Sequence, residues 1–221
     1  MFASKPVIGI SGGIGSGKSF VARLFEEFGC VVINSDDQVS EAYRRVGVKD
    51  TLRRWWGDAV FQEDGEIKRG AIAARIFTDA AEKRRLEGLL HPLVTEMRDQ
   101  AMAKEADNPK VLAYLWDTPL LFETGLYRDC DALVFVDAPR EMRLDRLRRQ
   151  RRWEDAELSR RENLQMPLDN KEEMSEYKIR NTAGADQVRI QVREVLSRIL
   201  ADVKRTSSPR AGSRPGPSAS H

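Results

Sequence analysis

The chain has 221 residues, with 37 Lys and Arg against 35 Asp and Glu, and 41% of its residues are hydrophobic. This balance is typical of one globular domain or two small ones, and it excludes collagen, coiled coil and wholesale disorder. No apolar run approaches the roughly 20 residues of a bilayer span, and the first residues lack a secretory-signal pattern. We therefore expect a cytoplasmic protein with no membrane partner.

Charge and cysteine content exclude two further classes of site. The formal charge is +2, but three arginines lie in the C-terminal tail, so the rest of the chain has no basic excess and no nucleic-acid partner is expected. Cys30 and Cys130 each adjoin an apolar segment, which favours buried reduced thiols over a disulfide. Two cysteines and two histidines in the whole chain argue against a zinc site.

Short apolar segments alternate with longer helical patterns along the chain. The predicted strands are residues 6–11, 30–34, 111–116, 132–136 and 177–181, and the clearest predicted helices are residues 18–28, 140–149 and 185–203. The strands are continuous apolar runs, as expected for strands covered on both faces. We predict an α/β fold: a P-loop core with a doubly wound parallel sheet.

Two inserts and a tail interrupt or follow this predicted core. Residues 37–107 contain helical patterns without a convincing strand, and residues 150–176 are charged and poor in large apolar side chains, which suits a mobile lid. The tail is rich in Pro, Ser, Gly and Arg and is predicted to be disordered. The predicted division is a nucleotide-binding core (residues 1–36, 108–149 and 177–204), a helical substrate-binding insert (37–107), an Arg-rich lid (150–176) and a tail (205–221).

A phosphate-binding motif follows the first predicted strand. Residues 12–19 read Gly-Gly-Ile-Gly-Ser-Gly-Lys-Ser and open a helical pattern, which is the context that a P-loop requires. The glycines let successive N–H groups converge on phosphate oxygens at a helix N-terminus. Lys18 would bridge the β- and γ-phosphates of ATP, and Ser19 would offer its hydroxyl to Mg²⁺. The predicted nucleotide-binding residues here are Gly13, Ile14, Gly15, Ser16, Gly17, Lys18 and Ser19.

A P-loop does not decide whether the γ-phosphoryl group goes to water or to an acceptor. A small core with one helical insert and one Arg-rich insert favours a kinase, because a kinase needs an acceptor pocket and a cover that excludes water.

Three aspartates follow predicted strands. Asp36 is the candidate base, since an acceptor hydroxyl needs an oxygen to orient it and take its proton. A helix is predicted to start near Gln38. Asp37 is expected to cap its N-terminus, and the same capping role is the alternative for Asp36. Asp117 is a candidate Mg²⁺ ligand or a turn residue, and Asp137 is interpreted as a turn residue.

Nine arginines lie between residues 140 and 161. Most are expected on a solvated helix face, and one or two are expected to reach the transferring phosphoryl group. Five interspersed acids weaken the alternative of a nucleic-acid patch.

His91 is either a capping or packing residue or a substrate contact. Asn181 and Gly184 follow the last predicted strand, where they could meet an adenine ring.

Together these motifs resemble the dephospho-CoA kinase family of P-loop kinases, over residues 7–203. Besides the P-loop, the matching segments are Asp36, Leu-Leu-His-Pro-Leu at 89–93, Asp-Thr-Pro-Leu-Leu-Phe-Glu at 117–123, Gln-Met-Pro-Leu at 165–168 with Lys171, and Asn181 with Gly184. The second and third of these segments are far more specific than the P-loop itself.

The resemblance implies transfer of the ATP γ-phosphoryl group to the ribose 3′-hydroxyl of dephospho-CoA, with Mg²⁺, in the last step of coenzyme A biosynthesis. It implies Asp36 as the activating carboxylate, His91 on the substrate side and Asn181 with Gly184 beside adenine. Substrate contacts are also expected from Pro119 and Leu120. The lid arginines that fit best are Arg146 and Arg151, with Arg148, Arg149 and Arg152 as substitutes.

Three segments depart from the resembling sequences, and one of them is Ser175-Glu176, which stands where those sequences usually have Ala-Asp before Asn181. Phe20 ends the nucleotide-binding segment where those sequences usually carry Thr, and Asn34 replaces the first carboxylate of an Asp-x-Asp pattern. Alternative functions are a P-loop kinase for another nucleoside-like hydroxyl acceptor, a nucleotide-dependent switch or ATPase, and a non-catalytic binder. We expect a monomer or a weak homo-oligomer.

Overall fold

The computed structural model describes residues 1–207, and the predicted tail lies outside the described residues from residue 208 onward. Five parallel strands form one sheet in the order β2-β3-β1-β4-β5. Their bounds are β1 Val7–Gly12, β2 Cys30–Asn34, β3 Ala113–Asp117, β4 Ala132–Asp137 and β5 Tyr177–Arg180. The predicted α/β fold with a doubly wound parallel sheet is confirmed.

Nine α-helices occur within the described residues. They are α1 Lys18–Glu27, α2 Ser35–Arg44, α3 Val46–Trp56, α4 Arg69–Thr78, α5 Ala80–Lys104, α6 Arg140–Arg151, α7 Asp155–Glu162, α8 Leu168–Glu173 and α9 Ala185–Ser207. Short 3-10 turns occur at Gly57–Val60 and Leu126–Asp129. No helix of residues 1–207 is long and apolar enough to cross a membrane.

The main core lies between the sheet and the helices α1 and α9. Every residue of β1 and β3 is buried, which is the physical reason that these strands are continuous apolar runs. The predicted stripe on α9 packs into this core through Val188, Val192, Val195, Leu196 and Ile199. Burial of these side chains sets the sheet as a rigid base for the loops at its carboxyl edge.

Helix α5 connects the helical insert to the other face of the sheet. Near its C-terminal end, Met102 packs with Tyr114 and Trp116 of β3. The Tyr114 hydroxyl donates a hydrogen bond of 2.8 Å to the Met102 carbonyl, so the buried polar group is satisfied. Both faces of β3 are therefore covered.

Helices α2, α3, α4 and α5 form a second cluster of buried side chains, which includes Leu52, Trp56, Ile72, Leu86 and Leu90. The structure thus has helices in the insert, residues 37–107, as the sequence pattern predicts. An isolated β-bridge between Phe61 and Ile67 also occurs there. The apolar cluster of the insert is separate from the one beneath α9, so the helical insert does not depend on the sheet for all of its packing.

Several predicted bounds shift by a few residues. Helix α2 begins at Ser35 rather than near Gln38, and β3 begins at Ala113 because the N–H of Val111 closes a turn onto the Asn108 carbonyl. Helix α9 continues to Ser207, past the predicted start of the tail at residue 205. Cys30 and Cys130 are both free thiols, as predicted.

Candidate functional site

The P-loop occupies the turn between β1 and α1. Gly15 and Gly17 have φ values of 80° and 91°, a region that favours glycine. A Cβ atom on Gly17 would lie 2.3 Å from the Asn181 amide nitrogen, and one on Gly15 would lie 2.8 Å from the Arg143 carbonyl oxygen. Both glycines are therefore required by backbone conformation and by close neighbours.

Three side chains hold the carbonyl groups of the P-loop. Arg143 donates to the Ile14 carbonyl at 3.1 Å, and Arg146 donates to the Ser16 carbonyl at 3.0 Å. The Asn181 amide donates to the same Ser16 oxygen at 2.7 Å. Because a trans peptide points its N–H and C=O in opposite directions, these contacts turn the P-loop N–H groups away from α6 and β5.

Helix α1 begins directly at the P-loop, with Gly17 as its N-cap and no side-chain cap. The N–H groups of Phe20 and Val21 bond the Gly17 carbonyl, which leaves those of Lys18 and Ser19 suited to an anion. The Lys18 ammonium donates to the Gly12 carbonyl at 3.3 Å. Desolvation of the ammonium lowers the pKa of Lys18, and the nearby charges of Lys171 and Arg143 lower it further, against the opposing effect of Asp117 and Asp36.

Asn34 and Asp117 meet at the carboxyl edge of the sheet. They are direct register partners on β2 and β3, and the Asn34 amide lies 3.5 Å from a carboxylate oxygen of Asp117. Asp117 is only 5% exposed. Burial raises the pKa of Asp117, the charge of Lys18 lowers it, and Asp36 and Asp37 raise it.

Asn34 is the N-cap of α2, since its side-chain oxygen accepts from the N–H groups of Asp36 at 2.8 Å and Asp37 at 3.2 Å. The predicted capping role of Asp37 is therefore wrong, because the helix begins earlier, at Ser35. Asp36 is exposed in the first turn of α2, and its charge acts on both Lys18 and Asp117.

A cavity of about 530 Å³ opens beside this edge. Ser19 of α1 and Asp117 of β3 both line it, and their hydroxyl and carboxylate oxygens are the ligand types that Mg²⁺ prefers. No group of three or more His, Cys, Asp or Glu suited to a metal occurs within residues 1–207. The donor set therefore fits an ion held by one carboxylate, one hydroxyl and phosphate oxygens. The other lining residues are Ala22, Arg23, Glu26, Val32, Ile33, Asn34, Asp37, Gln38 and Ala101.

The residues predicted to contact the acceptor are more scattered. Pro119 and Leu120 are exposed just after β3, at the same sheet edge as Asp117. The neighbouring Thr118 is tied to the start of α2 by a hydrogen bond of 2.6 Å between its hydroxyl and that of Ser35. His91 is exposed on α5, within the helical insert.

The predicted nucleotide contacts divide into two groups. Arg146 and Asn181 are joined by a hydrogen bond of 2.8 Å from the guanidinium to the Asn181 carbonyl, and both contact the P-loop. Arg151 is exposed at the end of α6, with its guanidinium 5.2 Å from the Trp153 ring centre. Gly184 is exposed at the start of α9, and the Phe20 side chain packs against the main core.

Sequence reasoning assigned no role to three charged residues that the structure brings to the site. Arg143 is 4% exposed. Its guanidinium donates hydrogen bonds to the Ile14 carbonyl of the P-loop and, at 3.2 Å, to the Ala138 carbonyl, and it forms an ion pair with Glu162. Its spacing of four residues from the buried Leu147 was the available signal for an inward-facing arginine. Lys171 and Glu123 pair at 2.9 Å, and the only signal for them was membership of the resembling motifs.

The strand order, the P-loop on β1, the buried aspartate on β3 and the helical segments around them define the class of P-loop kinases. Comparisons with known proteins narrow this class to one family. The dephospho-CoA kinase family matches residues 6–187. The chain therefore belongs to the dephospho-CoA kinase family, whose members transfer phosphate from ATP to a hydroxyl group, and the resemblance inferred from its motifs is confirmed.

Individual relatives agree with this assignment. A dephospho-CoA kinase of Syntrophotalea carbinolica is 33% identical over 209 residues, which cover 94% of this chain and 98% of the relative. One from Anaeromyxobacter dehalogenans is 35% identical over 204 residues, covering 90% and 92%. The crystal structure of TT1252 from Thermus thermophilus has a TM-score of 0.74 and 29% identity, and the match covers 90% of this chain and 97% of that one.

Proposed function

We propose that the protein transfers the γ-phosphoryl group of ATP to the ribose 3′-hydroxyl of dephospho-CoA, giving CoA and ADP in the cytoplasm. The observation that carries this proposal is the meeting of Lys18, Asp117 and Asp36 at one sheet edge in a chain of this family. A monomer or weak homo-oligomer suffices for this proposal, because Lys18, Asp36 and Asp117 all come from one chain.

The P-loop and Lys18 bind the phosphates of ATP. The N–H groups at the start of α1 hydrogen-bond the phosphate oxygens, and the Lys18 ammonium neutralises charge that spreads over the oxygens of the transferring group. Ring contacts to adenine come from the segment between Asn181 and Gly184. The hydrogen bond of Asn181 to the Ser16 carbonyl supports this role, because it joins that segment to the P-loop.

Asp36 orients the acceptor hydroxyl and takes its proton. Its position at the start of α2 supports this role, because Asn34 already caps the helix and Asp36 stays exposed. His91, Pro119 and Leu120 contribute to the acceptor site. With hydroxyl and phosphate held in line, transfer needs little further reorganisation.

Ser19 and Asp117 would hold Mg²⁺, because their oxygen ligands share the cavity beside the P-loop. When bound, the ion would neutralise charge on the phosphate oxygens. A bound cation would favour the ionised carboxylate of Asp117, in the same direction as the charge of Lys18 and against the effect of burial on its pKa. We further propose that the side chains of Arg146 and Arg151 cover the γ-phosphoryl group. This cover would exclude water from the site.

The test is ADP formation by the purified protein with Mg²⁺ and ATP, with and without dephospho-CoA, together with mass detection of the product. We expect ADP formation to depend on dephospho-CoA and to yield CoA. ADP formed with a different nucleoside-like hydroxyl compound, and not with dephospho-CoA, would indicate another kinase. ADP formed at the same rate without an acceptor would indicate an ATPase or a switch.

A further inference from the structure

A lysine is buried in the lid segment, on α8. The Lys171 side chain is 2% exposed, and its ammonium lies 2.9 Å from a carboxylate oxygen of Glu123 and 3.1 Å from the Gln165 side-chain oxygen. Burial of a single ion pair is often no better for stability than an apolar pair of the same volume. Stability alone therefore does not account for a charged lysine at this position.

Its partner Glu123 connects two parts of the chain. Glu123 lies in the loop that follows β3, six residues after Asp117, and it accepts both from Lys171 and from the Met166 N–H at 2.8 Å. Burial raises the pKa of Glu123, but the hydrogen bonds from Lys171 and Met166 outweigh burial and leave the pKa below its usual range. One ionised carboxylate thus joins the loop after β3 to the segment that precedes α8.

Helix α8 lies against the P-loop. A Cβ atom added to Gly13 would lie 3.1 Å from Leu168 and 2.8 Å from the Arg143 guanidinium. Leu168 and Lys171 are three residues apart on α8, so they share a face of the helix. Helix α8 also packs against β1, which leads into the P-loop. The charges of Lys171 and Arg143 both lower the pKa of Lys18, in agreement with this packing.

We propose that Lys171 contacts the γ-phosphoryl group during transfer and that Glu123 is the residue that positions it. This inference rests on the proposed phosphoryl transfer but not on the identity of the acceptor. A group whose negative charge spreads over three oxygens is stabilised by preorganised cations on more than one side. Lys18 supplies a cation from α1, and Lys171 supplies one from the lid segment.

The test compares K171M, K171R and E123Q with a matched control, K178M. Lys178 is also a lysine paired with an acid of α8, Glu172, and with Asp137, but it is 36% exposed. Two quantities are measured for each variant: CoA formation, and the dissociation constants of ADP and of a non-hydrolysable ATP analogue. The second measurement needs no acceptor.

For K171M we expect kcat to fall about 100-fold. Affinity for the ATP analogue should fall about 10-fold while that for ADP stays within about 2-fold, because only the analogue carries a γ-phosphate. K171R should recover part of both losses. E123Q keeps an oxygen for the Met166 N–H but loses the charge that holds Lys171, so its kcat should fall by about 10-fold. K178M should match the unmodified protein.

The outcomes separate this inference from the proposed function. Equal weakening of ADP and the analogue in K171M, or normal CoA formation by K171M, overturns the role of Lys171. If K171M does not fold, K171R and E123Q decide the role of Lys171. Weaker binding of the analogue with unchanged binding of ADP supports the role, and equal effects on both ligands overturn it. If the unmodified protein forms no CoA, the proposed function is refuted. If K171M nevertheless weakens binding of the analogue more than binding of ADP, the role of Lys171 is supported.

Discussion

The two sides of the site differ in how firmly they are held. On the phosphate side, which comprises the P-loop with Arg143, Arg146 and Asn181, carbonyl groups are fixed by hydrogen bonds from buried or partly buried donors. On the proposed acceptor side, which comprises Asp36, His91, Pro119 and Leu120, the residues are exposed.

This difference fits the ligands proposed for the two sides. Phosphate is a compact anion, and donors aimed at it in advance need no reorganisation when charge develops. The acceptor is large and supplies its own apolar and polar surface, so its site can remain open before binding. Substitutions on the phosphate side should therefore change both activity and stability, whereas those on the acceptor side should change activity alone.

The largest expected effect is on the phosphate side, from K18M. The Lys and Met side chains have similar length, but the variant lacks the cation that is proposed to face the transferring group. We expect kcat to fall by about 10³-fold. Steady-state CoA formation measures the loss, and circular dichroism checks that the fold is retained. Activity within about tenfold of normal would mean that Lys18 does not stabilise the transferring group.

On the acceptor side, D36N should lower kcat by about 100-fold or more, because an amide cannot take the proton. Its free energy of unfolding should change by less than about 0.5 kcal/mol, since Asp36 is exposed and Asn34 caps the helix. D37N is the matched control on the same turn. Near-normal turnover in D36N would remove Asp36 as the base.

R146M tests whether the phosphate side is held by side chains. The variant leaves the Ser16 and Asn181 carbonyls without their guanidinium donor. We expect the free energy of unfolding to fall by about 2 kcal/mol and the KM for ATP to rise. Urea unfolding and initial rates measure the two effects. R160M, which removes an exposed guanidinium paired with Glu157 on α7, is the control, and equal losses in both variants would contradict the contrast.

H91A should have a smaller effect. His91 is exposed on α5, so its removal should leave the free energy of unfolding within about 0.5 kcal/mol. Loss of one contact should raise the KM for dephospho-CoA by about 3- to 10-fold with little change in kcat or in the KM for ATP. Unchanged kinetics for both substrates would place His91 outside the acceptor site.

The smallest effect is expected from thiol reagents, which act at neither side. Burial raises the pKa of Cys30 to about 12, and burial with the nearby Asp129 and Asp131 charges raises that of Cys130 to about 12. Because the thiolate is the reactive form, both thiols should stay unmodified at pH 8 in the folded protein and react in denaturant. Rapid labelling of either thiol under native conditions would show that its surroundings open readily.

Local signals explain what was predictable. Strands β1, β3 and β4 were recognised because strands buried on both faces must be apolar throughout, whereas the edge strand β5 alternates buried and exposed residues. The P-loop was recognised because its glycines and Lys18 have a fixed spacing. The end of β3 was also predictable, which placed Asp117 at the sheet edge. Each of these features depends on neighbours a few residues away, so the sequence by itself determined them.

Tertiary structure decided which charged residues face the site. Among nine similar arginines, Arg143 is buried because α6 packs that residue against the P-loop, 129 positions away from its partner Ile14. Asn34 meets Asp117 only through the register of β2 and β3, and Lys171 meets Glu123 only through the packing of α8. The neighbouring sequence does not reveal the partner of a charged side chain. Its interaction energy depends on distant groups that share its low-dielectric surroundings.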